Sequence, residues 1–232
     1  MINLDAIKIA QQIAKDTLWE TNDIIQVGMS EKDIYDIVSE KLLKKGSDAW
    51  WYHGIPCLVL LGRHSAVSVG SEYKPTDDYR VGENDVITID TAPTFKTGWG
   101  DYARTFFMEN GRMSAYDNPS ESKFKKGLDE EKYIHNFLLD HCSPDMTFET
   151  VFTILNDEIN RMGFKNLDFK SNLGHTIEIN QEDRLYLEKG NDRVIGEIGK
   201  PFTLEPHISY SDDYGFKRED IYIITDHGFE RV

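Results

Sequence analysis

Asp85-Val86-Ile87-Thr88-Ile89-Asp90, followed by Gly98-Trp99-Gly100-Asp101-Tyr102-Ala103-Arg104-Thr105-Phe106, decides how the rest of the chain reads. Val86, Ile87 and Ile89 form a short β-branched run, and Gly98 and Gly100 punctuate the connection. The stretch predicts two apolar strands joined by a glycine-containing turn, with an aspartate on each. Paired as a hairpin, the strands let Asp90 and Asp101 face each other. Two adjacent carboxylates repel and are costly to bury unless a cation lies between them. The pair is therefore a candidate metal site. The competing reading is one turn aspartate and one surface-strand aspartate, and the pair alone does not decide between the two.

Working outward, 232 residues with 39% hydrophobic and 12% aromatic content suit a globular core. With no Pro/Ser linker and no internal repeat, a single domain over residues 1–232 is the simpler expectation. No apolar run approaches the ~20 residues that span a bilayer. Met1-Ile2-Asn3-Leu4-Asp5 lacks the basic and apolar regions of a signal peptide. Cys57 and Cys142 are too few for a disulfide framework. Cytoplasmic residence is the expectation that follows. A formal net charge of −15 argues against nucleic acid and anionic membrane as partners, since both are polyanions.

Apolar positions at helical spacing (Ile7, Ile9, Ala10, Ile13, Ala14, Leu18) predict a first helix from about Leu4 to Ile25. Ser30 with Asp33 predicts the cap of a second helix, which runs to about Lys45 and stops at Gly46. Cys57–Leu61 reads as a buried strand and Ala66–Val69 as another. Residues from about Ser120 to His141 read as a helix, and Thr147 caps a further one that ends at Gly163. The last third is strand-like over about 172–180, 201–205, 221–225 and 228–232. Two helices, strands, two helices, strands is an α+β order with an antiparallel sheet.

Three late segments put an acid or histidine on or beside a strand: Gly174-His175, Thr203-Leu204-Glu205-Pro206, and Glu219-Asp220-Ile221-Tyr222-Ile223-Ile224-Thr225. Each alone is weak, because a lone histidine or a loop glutamate is common. With the hairpin they make two Asp, one His and two Glu. Hard oxygen ligands plus an imidazole suit two divalent cations such as Mn, Fe, Co or Zn, and paired metals share bridging carboxylates around an activated water.

On these residues the chain resembles the pita-bread metallopeptidases: methionine aminopeptidase, aminopeptidase P, prolidase and creatinase. Gly82 to Asp90 resembles the family's Gly-Asp-φ-φ-φ-Asp strand (φ is apolar). Asp101 to Phe106 resembles its Asp-x-x-Arg-Thr-Phe, and the eleven-residue step between the aspartates is the family's step. Gly174-His175, Leu204-Glu205-Pro206 and the Glu219 strand resemble its Gly-His, φ-Glu-Pro and closing Glu strand. The likeness covers nearly the whole chain and the catalytic domain alone.

The resemblance implies a curved antiparallel sheet covered by helices and a dinuclear site. Asp101 and Glu219 would bridge the ions, Asp90 would bind one, and His175 and Glu205 the other. Glu205 is also the expected proton acceptor. The implied activity is that of an aminopeptidase on short peptides, Xaa-Pro substrates being favoured by the Asp-x-x-Arg-Thr-Phe form. The alternatives are creatinase-like hydrolysis of a small amide, or a non-catalytic binding protein. A homodimer is expected by analogy only.

Two departures stand out. The peptidases carry a histidine about eighteen residues before the first Asp ligand, where this chain reads Val69-Gly70-Ser71-Glu72-Tyr73. His53 and His64 lie upstream, within reach only through loop slack. They carry another seven residues past the His ligand, where this chain has Glu182. His207, directly after Glu205-Pro206, is either a replacement donor facing the site or a strand-end histidine. Trp50, Trp51, Tyr52 and Trp99 are pocket-wall or core candidates. Arg184 and Arg193 are candidates for a substrate carboxylate or for surface pairs. Cys57, in its apolar run, reads as a small buried hydrophobe.

Overall fold

Two amphipathic helices open the fold, each fixed at its start by a side-chain cap. In the computed structural model, which describes residues 3–232, α1 spans Leu4–Asn22 and Asn3 Oδ1 accepts the Ala6 N–H. Its buried stripe is Ile7, Ala10, Ile13, Ala14 and Leu18, the i, i+3, i+4 spacing of one helix face. The second helix, α2 (Glu31–Lys44), begins with the capping box predicted from Ser30 and Asp33, a device worth about 1 kcal/mol.

The chain continues through β1 (Ala49–Trp50), β2 (Cys57–Leu61), β3 (Asp85–Thr91), β4 (Pro93–Phe95), β5 (Gly98–Trp99), β6 (Tyr102–Glu109) and β7 (Arg112–Met113). Two helices follow, α3 (Ser122–His141) and α4 (Phe148–Arg161), the latter capped by Thr147. The last third holds β8 (Lys165–Asn166), the one-turn α5 (Ile195–Ile198), β9 (Phe202–Leu204), β10 (His207–Ser209), β11 (Phe216–Lys217), β12 (Asp220–Thr225) and β13 (Gly228–Arg231). All strand pairings are antiparallel, in the orders β2-β3-β6-β7, β13-β12-β9, β11-β10-β8 and β1-β4-β5. The α+β arrangement read from the sequence is the one observed.

The β3–β6 hairpin separates two apolar cores. Side chains alternate across a strand, so Ile87 and Ile89 pack with Ile13, Leu18, Val38 and Leu42 of α1 and α2. Val86, from the other face, joins Phe107, Phe124, Leu138, Leu155 and Tyr222 in the second core. Thr88 and Asp90 share the Val86 face, and that parity turns Asp90 toward the later half of the chain.

Three sequence readings are corrected. The link between β3 and β6 is not one turn: β4 and β5 form their own small hairpin inside it, and β4 pairs with β1. Ala66–Val69 is not a strand. Gly62–Ala66 is a 3-10 turn, closed where Ser65 Oγ donates to the Gly62 carbonyl at 2.6 Å, with Gly62 at φ +53°. Residues 172–180 are extended but make only isolated bridges, Thr176 to Phe202 and His175 to Tyr186. Gly174, at φ +145°, interrupts regular pairing there.

Candidate metal centre

The strand register assembles the acidic set. Asp90 on β3 lies opposite Ala103 on β6, and Ala103 bridges Glu219 on its other side. Asp90, Ala103 and Glu219 thus form one row across three strands. Asp101, two residues before Ala103, falls on the same face. The hairpin does bring Asp90 and Asp101 together, by this diagonal.

Each ligand candidate is held through its backbone. Gln11 of α1, fully buried, grips Asp101 from both sides: its Oε1 accepts the Asp101 N–H at 2.8 Å and its Nε2 donates to the Asp101 carbonyl at 2.9 Å. Gly100 makes this approach possible, since a Cβ there would lie 2.7 Å from the α1 backbone. Arg104 donates to the carbonyls of Ala103 and Glu219, both at 2.8 Å, and to Asp220 Oδ1 at 2.7 Å. The Arg of Asp-x-x-Arg-Thr-Phe therefore ties the Glu219 strand to β6. The Thr of that motif ties Lys217: the Lys217 N–H donates to Thr105 Oγ1 at 2.8 Å, and Oγ1 donates back to the Lys217 carbonyl at 3.0 Å.

His175 and Glu205 come from adjacent extended segments. The Thr203 N–H donates to the His175 carbonyl at 2.8 Å, and the Glu205 N–H to the Leu173 carbonyl at 2.9 Å. Gly174 permits this closeness, because a Cβ there would sit 2.1 Å from the Thr203 carbonyl oxygen. His175 Nδ1 lies 3.1 Å from the Thr176 carbonyl. A carbonyl only accepts, so Nδ1 carries the proton and Nε2 presents its lone pair to the site. Nε2 is 3.7 Å from Asp101 Oδ2 and 3.8 Å from Glu205 Oε1.

The electrostatics are those of an unneutralised acidic cluster. Burial, then Asp90 and Glu205, raise the Asp101 carboxyl well above the usual range. Burial, then Asp101 and Glu205, do the same for Glu219. Glu205 is pushed up to about 7, chiefly by burial, against the lowering pull of Lys217. Burial lowers His175 to about 3, so its imidazole is neutral. Glu219 is 1% exposed, and neither of its carboxylate oxygens has a hydrogen-bond partner. An orphaned buried carboxylate is expensive, and here it faces an imidazole lone pair. Donor atoms of Asp101, His175 and Glu219 all lie within 4.8 Å of one another. Two carboxylates and an imidazole at that spacing fit a divalent metal.

Lys217 is the residue the sequence reading passed over. Its Nζ lies 2.6 Å from Asp90 Oδ2, 3.1 Å from Glu205 Oε2 and 3.7 Å from Glu219 Oε2. Burial opposes its charge, but Asp90, Glu205 and Glu219 outweigh that and hold the ammonium well above its ordinary pKa. Its position two residues before Glu219 was the available signal, since i and i+2 share a strand face. Gln11 left none; it reaches Asp101 across 90 residues of chain.

The ligand set opens on a cavity of about 420 Å³ whose lining includes Tyr52, Leu58, Val67, Lys170, Arg184 and Tyr186. Trp51 stacks on Trp99 with ring centres 3.6 Å apart, and both rings lie 6.1 Å from that of His175. The Arg184 guanidinium covers Trp51 and Tyr186; Arg193 is exposed and does not line the cavity. Cys57 is buried, and burial pushes its thiol well up, as for a packing residue.

Neither missing histidine is replaced. His64 Nδ1 pairs with Glu31 Oε1 at 2.5 Å and stacks on Tyr79, and His53 is exposed against Tyr52. Neither lines the cavity, and Glu182 is exposed in a 3-10 turn. His207 does line it, from β10, but its Nε2 lies 2.6 Å from the Ser65 carbonyl. That carbonyl fixes the proton on Nε2, and burial lowers the ring to about 4. A neutral His207 so anchored can accept at Nδ1 but has no second N–H to give.

Comparison with known proteins agrees with this construction. The model for metallopeptidase family M24 matches residues 5–226, and the chain belongs to that family. An Xaa-Pro dipeptidase of Lactobacillus helveticus is 25% identical over 209 residues, 90% of this chain and 52% of the relative. The X-Pro aminopeptidase structure from Thermotoga maritima superposes with a TM-score of 0.79 at 22% identity, covering 98% of this chain and 60% of that one. The methionine aminopeptidase structure from the same organism gives 0.77 at 17% identity, covering 100% and 98%. The pita-bread fold is thus shared. The chain spans about half the length of the curated relatives it matches.

Proposed function

We propose that residues 1–232 act as one metal-dependent hydrolase domain that removes residues from the N-terminal end of short peptides, with Xaa-Pro substrates preferred. The observation that carries this reading is the Glu219 carboxylate, buried without a hydrogen bond and facing the His175 lone pair beside Asp101. The proposed ligands are Asp90, Asp101, His175, Glu205 and Glu219, and the ion is Mn, Co, Fe or Zn. A divalent ion held there supplies Lewis acidity, lowering the pKa of a coordinated water and polarising a substrate carbonyl.

The chain's own groups do the rest. Glu205, whose carboxyl burial raises to about 7 in the metal-free protein, is the group proposed to take the proton of the attacking water and pass it to the leaving amine. Thr176 fixes the His175 tautomer and ring. The stacked Trp51 and Trp99 rings lie beside the His175 ring. Arg184 is the group proposed to meet a substrate carboxylate in the cavity. His207 braces the cavity lining through Ser65.

A second reading, hydrolysis of a small non-peptide amide, is favoured by one observation. No histidine stands where the peptidases hold two near the substrate, and the N–H of His207 is committed. The test is metal analysis of purified protein, followed by a panel of dipeptides and N-terminal peptides with added Mn, Co or Fe. Metal-dependent cleavage supports the peptidase. Bound metal without cleavage moves the substrate to small amides. No metal in the wild type, as in Asp101→Ala, removes the hydrolase and leaves a binding protein.

A further inference from the structure

We propose that the Lys217 ammonium takes the place of one of two metal ions, so that the protein holds a single divalent ion between Asp101, His175 and Glu219. The inference rests on the metal-dependent reading above and changes its stoichiometry. The five carboxylate and imidazole ligands divide into two groups by what they touch. Asp90 Oδ2 and Glu205 Oε2 are bound by Lys217 Nζ at 2.6 and 3.1 Å, ordinary charge-assisted hydrogen-bond distances. The Glu219 oxygens carry no hydrogen bond, Glu219 Oε2 being 3.7 Å from the same Nζ. His175 Nε2 lies 3.7 Å from Asp101 Oδ2 and 3.8 Å from Glu205 Oε1.

An ion ligated by Asp90 has to sit about 2.0–2.2 Å from its oxygen, within roughly hydrogen-bond distance of an ammonium that already occupies that oxygen. Two cations there repel. At the Asp101–His175–Glu219 position the Lys217 ammonium stands off at 3.7 Å from Glu219 Oε2, beyond hydrogen-bond distance, and the three donor atoms lie within 4.8 Å of each other. Lys217 does not reach the acids by chance orientation. Thr105 Oγ1 holds both its N–H and its carbonyl, and the side chain is only 16% exposed. Among the described residues it is the one lysine or arginine paired with any of Asp90, Glu205 and Glu219.

The test is a count of ions. Protein stripped with chelator is titrated with Mn(II) and followed by electron paramagnetic resonance, with bound metal measured after equilibrium dialysis. The expected wild-type result is one ion per chain and the six-line signal of an isolated Mn(II). Lys217→Met should bind two, with loss of that signal through spin coupling. Two coupled ions in the wild type overturn the proposal and leave the hydrolase reading intact. One ion in both proteins also overturns it, since Lys217 is then not what excludes the second. No ion in the wild type overturns the proposal and the hydrolase reading together. Should Lys217→Met fail to fold, by circular dichroism, the wild-type count decides alone.

Discussion

Glu205 is the side chain in which the two demands on this site meet. It is buried, ion-paired to Lys217, and close to His175. A carboxylate poised near neutrality is suited to carry a proton in both directions, and such groups contribute about 10²–10⁴-fold. With the single ion held between Asp101, His175 and Glu219, Glu205→Gln should lower kcat by that order while bound metal stays within a factor of two of wild type, as measured by parallel kinetics and metal analysis. Loss of the metal instead would make Glu205 a ligand first. Lys217 decides the other half of the question. At an effective dielectric of about 20, a divalent ion about 3 Å from an ammonium is repelled by ~11 kcal/mol. That figure is comparable to the whole net stability of a domain, about 5–15 kcal/mol, which is why one lysine can set the metal count.

At the scale of elements, the Gly174–His175 segment shows how backbone geometry serves a ligand. It runs so close to β9 that a methyl at Gly174 would collide with the Thr203 carbonyl. Its φ of +145° lies where side chains other than hydrogen are strained, at ~1–3 kcal/mol. Gly174→Ala should lower the melting temperature and weaken metal binding together, because His175 moves with the strand. Thermal melts with and without Mn(II) check this: a variant with a lowered melting point but unchanged metal affinity would separate the turn from the ligand. The β6 motif works similarly. Asp101 points into the site, Arg104 fixes the Glu219 strand and Thr105 fixes Lys217, so three residues of one motif tie β6 to the segments that follow.

Over the whole molecule, the buried titratable groups set how stability changes with pH. Glu131 is fully buried, and that burial raises its carboxyl to about 8 against the lowering pull of Arg218. Unfolded, it ionises above 4.5, so folding takes up a proton, and its contribution is complete below that pH and lost as pH rises toward 8. Glu205 in the metal-free protein acts with the same sign up to about 7. The buried His135, His175 and His207 have lowered values of about 3, 3 and 4, so their contribution is lost only as pH falls below 6.5. Between pH 6.5 and 8 the carboxyls act alone. The melting temperature of metal-free protein should fall across that window, and Glu131→Gln should flatten the fall. A melting point that rises with pH there would contradict the burial of Glu131 as a neutral acid.

The chain order of helices and strands, both capped helix starts, the hairpin and the five candidate ligands were legible in the residues. They rest on short-range physics: apolar period, capping spacing and strand parity. Ala66–Val69 misled because an apolar run of that length fits a strand as well as a turn closed by Ser65. The two-residue strands left no periodicity to read. The sequence by itself named two aspartates, one histidine and two glutamates as ligand candidates, through motif spacing and the resemblance to the pita-bread peptidases. Only the tertiary structure decided what meets them. Gln11 closing on Asp101, His207 spending its N–H on Ser65, and Lys217 entering between Asp90 and Glu205 are contacts across 90, 142 and 127 residues. Such partners are chosen by the packing of whole elements, and of the three only Lys217, two residues before Glu219, left a local trace.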